Sequence, residues 1–262
     1  MDKAGQNRKV QDKKIQSILI SQPRPDGEKS PYFDLAKKFN IRLDFFPFVR
    51  VEGVSSREFR RQRIDISGFT AVIFTSRHSV DHFFRICEEM KIKISQDCKY
   101  FCITESVALY LQKFILYRKR KVFYGADGIT QSLLDVIGKH RDHEKFLLPC
   151  SDIQKNDIQD YLKSTNCEFG LAMLYKTICN DIREILSGQA YDMIVFFSPS
   201  GVKSLFENFP GFAQNGTSIA AFGPTTSRAI EEAGLRLDLK APLPKAPSMV
   251  AALELYLGEV NR

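Results

Sequence analysis

The chain has 262 residues, 44% hydrophobic and 26% charged, an ordinary composition for a globular protein of one large or two modest domains. No apolar stretch approaches the roughly 18 residues needed to span a bilayer, and Met1 to Lys14 lacks the apolar core of an export signal, so a cytoplasmic protein with no membrane partner is expected. The net charge of +7 suits an anionic ligand, but the runs Arg57–Arg63 and Arg118–Lys121 carry no base-stacking pattern and read as solvated faces, so no nucleic-acid partner is expected.

Residues 1–16 form a polar, Lys-rich extension. Ser17 to Ser21 is a first strand, and Pro23, Pro25 and Gly27 make the loop after it. A helix opens at Pro31, a favoured first-turn residue, and ends near Asn40, which tolerates left-handed geometry. Ile41 to Val51 is extended, and Pro47 within it argues for an edge or a free ribbon. From Thr70 strands alternate with helices: strands at 71–75, 99–103, 121–124 and 145–149, and helices at 77–90, 105–114, 129–138 and 155–164. A second extended run covers Glu168 to Thr177. Alternation then resumes with helices at 180–187, 200–207, 225–233 and 247–258 and strands at 192–197, 217–222 and 236–239.

Such alternation predicts an α/β fold with parallel sheets covered by helices on both faces. Ligands of such folds bind beyond the carboxyl ends of the strands, where Thr75, Ser76, Ser198, Ser200, Gly223 and Thr226 fall. The cysteines at 87, 98, 102, 150, 167 and 179 form no CxxC and meet no histidine at metal-ligand spacing. They read as reduced thiols, and no metal is expected. His78 and His82 stand one helical turn apart with nothing else to complete a site.

The chain also repeats itself. Ala71-Val72-Ile73-Phe74-Thr75-Ser76 matches Met193-Ile194-Val195-Phe196-Phe197-Ser198, with Ser198 122 residues after Ser76. The match continues from Tyr100–Leu109 to Ala221–Ile230, and from Ala126–Ile137 to Ala246–Leu257. More weakly, Ile18–Ser21 matches Leu147–Cys150. Solenoid units run about 20–50 residues, so a repeat of this length is a duplicated half. Two similar lobes follow, joined by a two-stranded extended connector. Residues 17–42 and 177–262 make one discontinuous lobe, 52–168 the other, and 43–51 with 169–176 the connector. Two lobes on a narrow connector are suited to closing over a ligand, with the two serine turns facing one cleft.

Four segments resemble the uroporphyrinogen-III synthase family: Phe74-Thr75-Ser76-Arg77 with Val80, Leu174-Tyr175-Lys176-Thr177, Phe196–Val202, and Ile219–Ile230 with Gly223-Pro224-Thr225-Thr226. The likeness covers about Ser17 to Leu257 and departs from the family at Cys102-Ile103-Thr104-Glu105, where the family usually has a Gly and a Thr. It implies a cofactor-free lyase, working as a monomer on hydroxymethylbilane, a linear tetrapyrrole with eight carboxylates. Loss of the hydroxyl as water gives an azafulvene. Attack through the substituted carbon of the terminal ring gives a spiro intermediate, which fragments and recloses with that ring inverted.

On that likeness Tyr175 is the proton donor, or else a packed connector aromatic. Thr75, Ser76, Arg77, Ser198, Ser200, Gly201, Gly223, Thr225 and Thr226 hold the substrate through hydroxyls and helix N-termini. Ser198 and Thr226 serve equally as helix caps, and Arg77 as a solvated helix start. The rival function is a two-lobed anion- or tetrapyrrole-binding module without synthase activity.

Overall fold

The computed structural model describes residues 14–27, 29–153 and 156–261; residues 1–13 of the expected tail lie outside them. In chain order the elements are β1 (Ser17–Ile20), α1 (Pro31–Phe39), β2 (Arg42–Phe45), β3 (Val49–Gly53), α2 (Ser56–Arg61), β4 (Ala71–Phe74) and α3 (Arg77–Glu89). There follow β5 (Lys99–Cys102), α4 (Glu105–Tyr110), β6 (Val122–Tyr124), α5 (Thr130–Gly138), β7 (Phe146–Ser151), α6 (Asp157–Ser164) and β8 (Phe169–Cys179). The chain closes with α7 (Arg183–Ser187), β9 (Met193–Phe196), α8 (Pro199–Asn208), β10 (Ser218–Phe222), α9 (Pro224–Glu232), β11 (Leu239–Ala241) and α10 (Met249–Val260). Among the described residues no helix is long and apolar enough to cross a membrane.

Contacts divide the chain into two units, one of residues up to Arg50 plus Ile178 onward, the other Val51–Thr177. The first holds a parallel sheet in the order β2-β1-β9-β10-β11, and the second the order β3-β8-β7-β4-β5-β6. Remove β3 and the two orders become the same under the repeat, with β1 matching β7, β9 matching β4 and β10 matching β5. The central runs are apolar at every position because both faces are covered. Ile18, Ile20, Met193 and Val195 pack under α1 and α10, through Leu35, Met249 and Leu253. Leu19, Ile194 and Phe196 pack under α8 and α9, through Val202, Leu205 and Ile230. In the second unit Val72 and Phe74 face α3 and α4, through Phe83, Ile86 and Val107. Ala71, Ile73 and Phe146 face α5 and α6, through Leu133, Ile137 and Leu162. Each large side chain so buried contributes about 1.5–3 kcal/mol.

Several boundaries differ from the sequence reading. The chain is packed from Ile15, not from residue 17: Ile15 is 3% exposed and its backbone exchanges two hydrogen bonds of 2.8 Å with the Asn261 amide. The run 41–51 is two strands, β2 and β3, parted at Pro47, which has no N–H for a ladder. The reading assigned nothing to α2, whose six residues give too little periodicity to show. The helix foreseen over 105–114 ends at Tyr110 and tightens to a 3-10 turn over Leu111–Lys113.

The N–H of Asn180 donates to Phe48 O at 2.9 Å and that of Val54 to Leu174 O at 2.9 Å, so β3 runs antiparallel to β8. Where β3 has ended, the Gln62 side chain takes over: its Nε2 donates to Met173 O at 2.8 Å and its Oε1 accepts from Met173 N at 3.0 Å.

Candidate functional site

Each unit presents the carboxyl ends of its strands as turns that start helices. In the second unit Ser76 closes β4 and caps α3. Its hydroxyl accepts from Ser79 N at 3.1 Å, and Ser79 Oγ accepts from Ser76 N at 3.2 Å, a reciprocal capping box. Beside it opens a cavity of about 330 Å³ lined by Thr75, Ser76, Ile103, Cys150, Ser151, Asp157 and Tyr175 among others. Tyr175 comes from β8 and is aimed by a bulge. Cys150 pairs with Met173 and Ser151 with Tyr175, so Leu174 is the extra residue. Leu174 is fully buried in the core, while Tyr175 is half-buried and lines the cavity.

Burial holds the Tyr175 phenol above the ordinary value of about 10, and a hydrogen bond from Ser76 opposes that shift. The phenol is therefore a neutral donor at neutral pH. Cys150, pushed up by burial to about 11, is a protonated thiol there. The His82 ring stacks on Tyr175 at 5.2 Å between centroids, with 21° between planes. Burial first, and then the Arg85 charge, hold His82 below its ordinary value, so its imidazole is neutral.

Arg77 is exposed at the first position of α3 and is not among the residues lining the cavity. Its guanidinium lies 5.4 Å above the Tyr110 ring, whose hydroxyl donates to Asp81 Oδ1 at 2.8 Å. At the divergent turn Thr104 caps α4, accepting from Val107 N at 3.3 Å, and Glu105 accepts from the Tyr124 phenol at 3.0 Å.

In the first unit Ser198 caps α8, its hydroxyl accepting from Gly201 N at 3.2 Å. Ser200 is half-buried and Gly201 buried. Ser21, at the end of β1, belongs to the same group: a Cβ on Gly201 would lie 3.8 Å from its hydroxyl. Gly223 closes β10 and precedes α9 with φ +89° and ψ 154°, a region only glycine enters freely, and its Cα faces open space. Pro224 supplies the first helical position without an N–H to satisfy. Thr225 is exposed, whereas Thr226 is only 1% exposed, so the Thr226 side chain packs inward and the turn presents Thr225 and backbone. The N-termini of α8 and α9 carry the partial positive charge of helix starts, at the ends of β9 and β10.

Ser21, Asp157, His82 and Arg85 escaped the sequence reading as site residues. For His82 and Arg85 a signal exists: they stand three residues apart on α3, a spacing that makes their side chains neighbours.

The family model for uroporphyrinogen-III synthase HemD matches residues 32–251. A uroporphyrinogen-III synthase of Chlorobaculum parvum is 21% identical over 255 residues, covering 91% of this chain and 98% of that one. The crystal structure of uroporphyrinogen-III synthetase from Helicobacter pylori superposes with a TM-score of 0.59 at 17% identity, over 94% of this chain and 100% of that one. A mutant synthase structure from Thermus thermophilus gives 0.55 at 17% identity, over 93% and 99%. This chain belongs to the uroporphyrinogen-III synthase family, lyases of tetrapyrrole biosynthesis.

Proposed function

We propose that this protein closes hydroxymethylbilane to uroporphyrinogen III and that Tyr175 is its general acid. The observation that carries the reading is a phenol kept neutral by burial, placed by a strand bulge at a cavity beside the capped N-terminus of α3. Tyr175 gives its proton to the departing hydroxyl, which leaves as water from the methylene carbon, and an azafulvene remains. The substituted carbon of the terminal ring attacks that methylene to form the spiro intermediate. The bond from the spiro carbon to its original methylene bridge then breaks, and that bridge bonds instead, with the ring inverted, to the terminal ring's free carbon. The proton lost from that carbon matches the one spent on the hydroxyl, so one water leaves overall and the phenol is restored. General-acid assistance of this kind is worth about 10²–10⁴-fold.

The substrate carries eight carboxylates, and the chain's net charge of +7 attracts it. Carboxylates are held at Thr75 and Ser76 in one unit, and at Ser198, Ser200, Gly201, Gly223, Thr225 and the Thr226 backbone in the other. Arg77 steers an approaching propionate from outside the cavity. Binding of this kind fixes the terminal ring in a reactive geometry, where much of the rate advantage of a cofactor-free cyclisation resides. The protein works as a monomer in the cytoplasm, and light scattering across a concentration series tests the first point.

The decisive assay is cyclisation of hydroxymethylbilane with isomer analysis. Type III product formed faster than the spontaneous reaction is the expected result. Type I product at the spontaneous rate would refute the reading and leave a binding module.

A further inference from the structure

The ring that stacks on Tyr175 belongs to His82, a residue with no role in the chemistry above. His82 stacks on the phenol at 5.2 Å, and its Nδ1 accepts from Arg85 Nε at 3.4 Å. Arg85 is itself anchored. One terminal nitrogen donates to Val54 O at 2.7 Å and to Leu174 O at 3.5 Å, and the other donates to Glu89 Oε1 at 2.6 Å. Val54 follows β3, and Leu174 is the extra residue of the bulge that aims Tyr175. Arg85 therefore ties the edge strand, the bulge and His82 into one assembly.

Gly53 makes room for it. A Cβ there would lie 2.8 Å from the Arg85 guanidinium and 2.9 Å from His82 Nδ1, closer than real contacts permit. The space that a side chain would take at Gly53 is filled by the guanidinium and the imidazole.

We propose that His82, clamped by Arg85 above Gly53, is a positioning residue that holds the Tyr175 phenol at the cavity. The inference rests on the reading of Tyr175 as proton donor. A phenol on a bulged strand has two side-chain torsions to lose, and a flat partner held from behind removes that freedom before substrate arrives. A displacement of about 1 Å at a reacting group costs up to about 10²-fold in rate. Because the stack touches the proton donor and no carboxylate-binding turn, its loss acts on kcat and spares KM.

The test uses the full chain carrying 3-fluorotyrosine at position 175, read by 19F NMR together with kcat and KM for cyclisation. For His82→Ala, with an unchanged circular dichroism spectrum, we expect kcat to fall about tenfold, KM to stay within about twofold, and the fluorine line to shift and broaden. His82→Phe keeps a flat ring and restores both the line and most of kcat. Gly53→Ala displaces the guanidinium from the opposite side and reproduces the His82→Ala pattern, which guards against a folding defect peculiar to one variant. An unmoved fluorine line in His82→Ala overturns the proposal, whatever happens to kcat. So does a moved line with kcat unchanged while Tyr175→Phe is impaired. Should Tyr175→Phe turn over normally, it is the proton-donor reading that fails, and the fluorine line still decides whether His82 orders the ring.

Discussion

The two units share one strand order, β3 apart, and differ in the groups at their strand ends. In the first, the turn after β10 has Gly223 at φ +89° with open space at its Cα and a buried Thr226 behind it. In the second, the equivalent turn has Ile103 lining the cavity and Thr104 used up as a cap. The first unit offers bare backbone donors, which suits carboxylates and no proton transfer. The second offers a neutral phenol in a partly apolar cavity, which suits proton transfer. A duplicated fold keeps its hydrophobic core in both copies, since both sheets must be covered, and is free to diverge only at the strand ends.

The sharpest probe of what the copies retain is their core. Phe74 and Phe196 occupy matching positions and are both fully buried. Phe74→Ala and Phe196→Ala are each expected to cost about 3–5 kcal/mol in denaturant unfolding. A loss below about 1 kcal/mol in one of them would break the equivalence.

Tyr175→Phe removes the donor while keeping the ring, and turnover is expected to fall at least about tenfold with the melting temperature unchanged. The pH profile checks the same residue. Its folded-state pKa is raised, so the neutral phenol and the stability it carries are fully present below the ordinary value of about 10, and both are lost as pH rises through the higher folded value. The expected kcat is flat from neutral pH to about 10 where the phenol governs; a phenol titrating in the protein below about 9 contradicts the assignment.

Gly223→Ala confines its effect to the first unit. The strained backbone costs about 1–3 kcal/mol, and the lost approach of carboxylate to the α9 N-terminus is expected to raise KM with kcat held. A fall in kcat alone would move proton transfer to the wrong unit. The smallest effects come from the paired caps. Ser198→Ala and Ser76→Ala each remove a cap worth about 1 kcal/mol. Ser198→Ala is expected to raise KM only, whereas Ser76→Ala also removes a hydrogen-bond partner of Tyr175 and lowers kcat. Identical kinetic signatures would erase the division of labour.

Much of this architecture was legible because buried parallel strands announce themselves as short apolar runs, and the repeat placed each run beside its counterpart. The order β2-β1-β9-β10-β11 recurs as β8-β7-β4-β5-β6 for that reason. What stayed illegible depends on contacts distant in sequence. Ile15 reads as tail until Asn261 reaches it from the other end of the chain. The inward turn of Thr226 is set by how α9 lies on its sheet. His82 shows in the sequence only beside His78, one helical turn away, because the ring it stacks on, Tyr175, lies 93 residues further along the chain.

The Gln62 amide described at the edge of β8 has a consequence for solubility. Past the end of β3, Met173 would offer an unpaired N–H and C=O to any extended chain that came near. An amide presents a donor and an acceptor at the same spacing as a peptide group, so Gln62 caps that edge as a strand one residue long. Open edges are where sheets of separate molecules join and aggregate. One side chain from a six-residue helix thus covers the Met173 position of the strand that carries Tyr175.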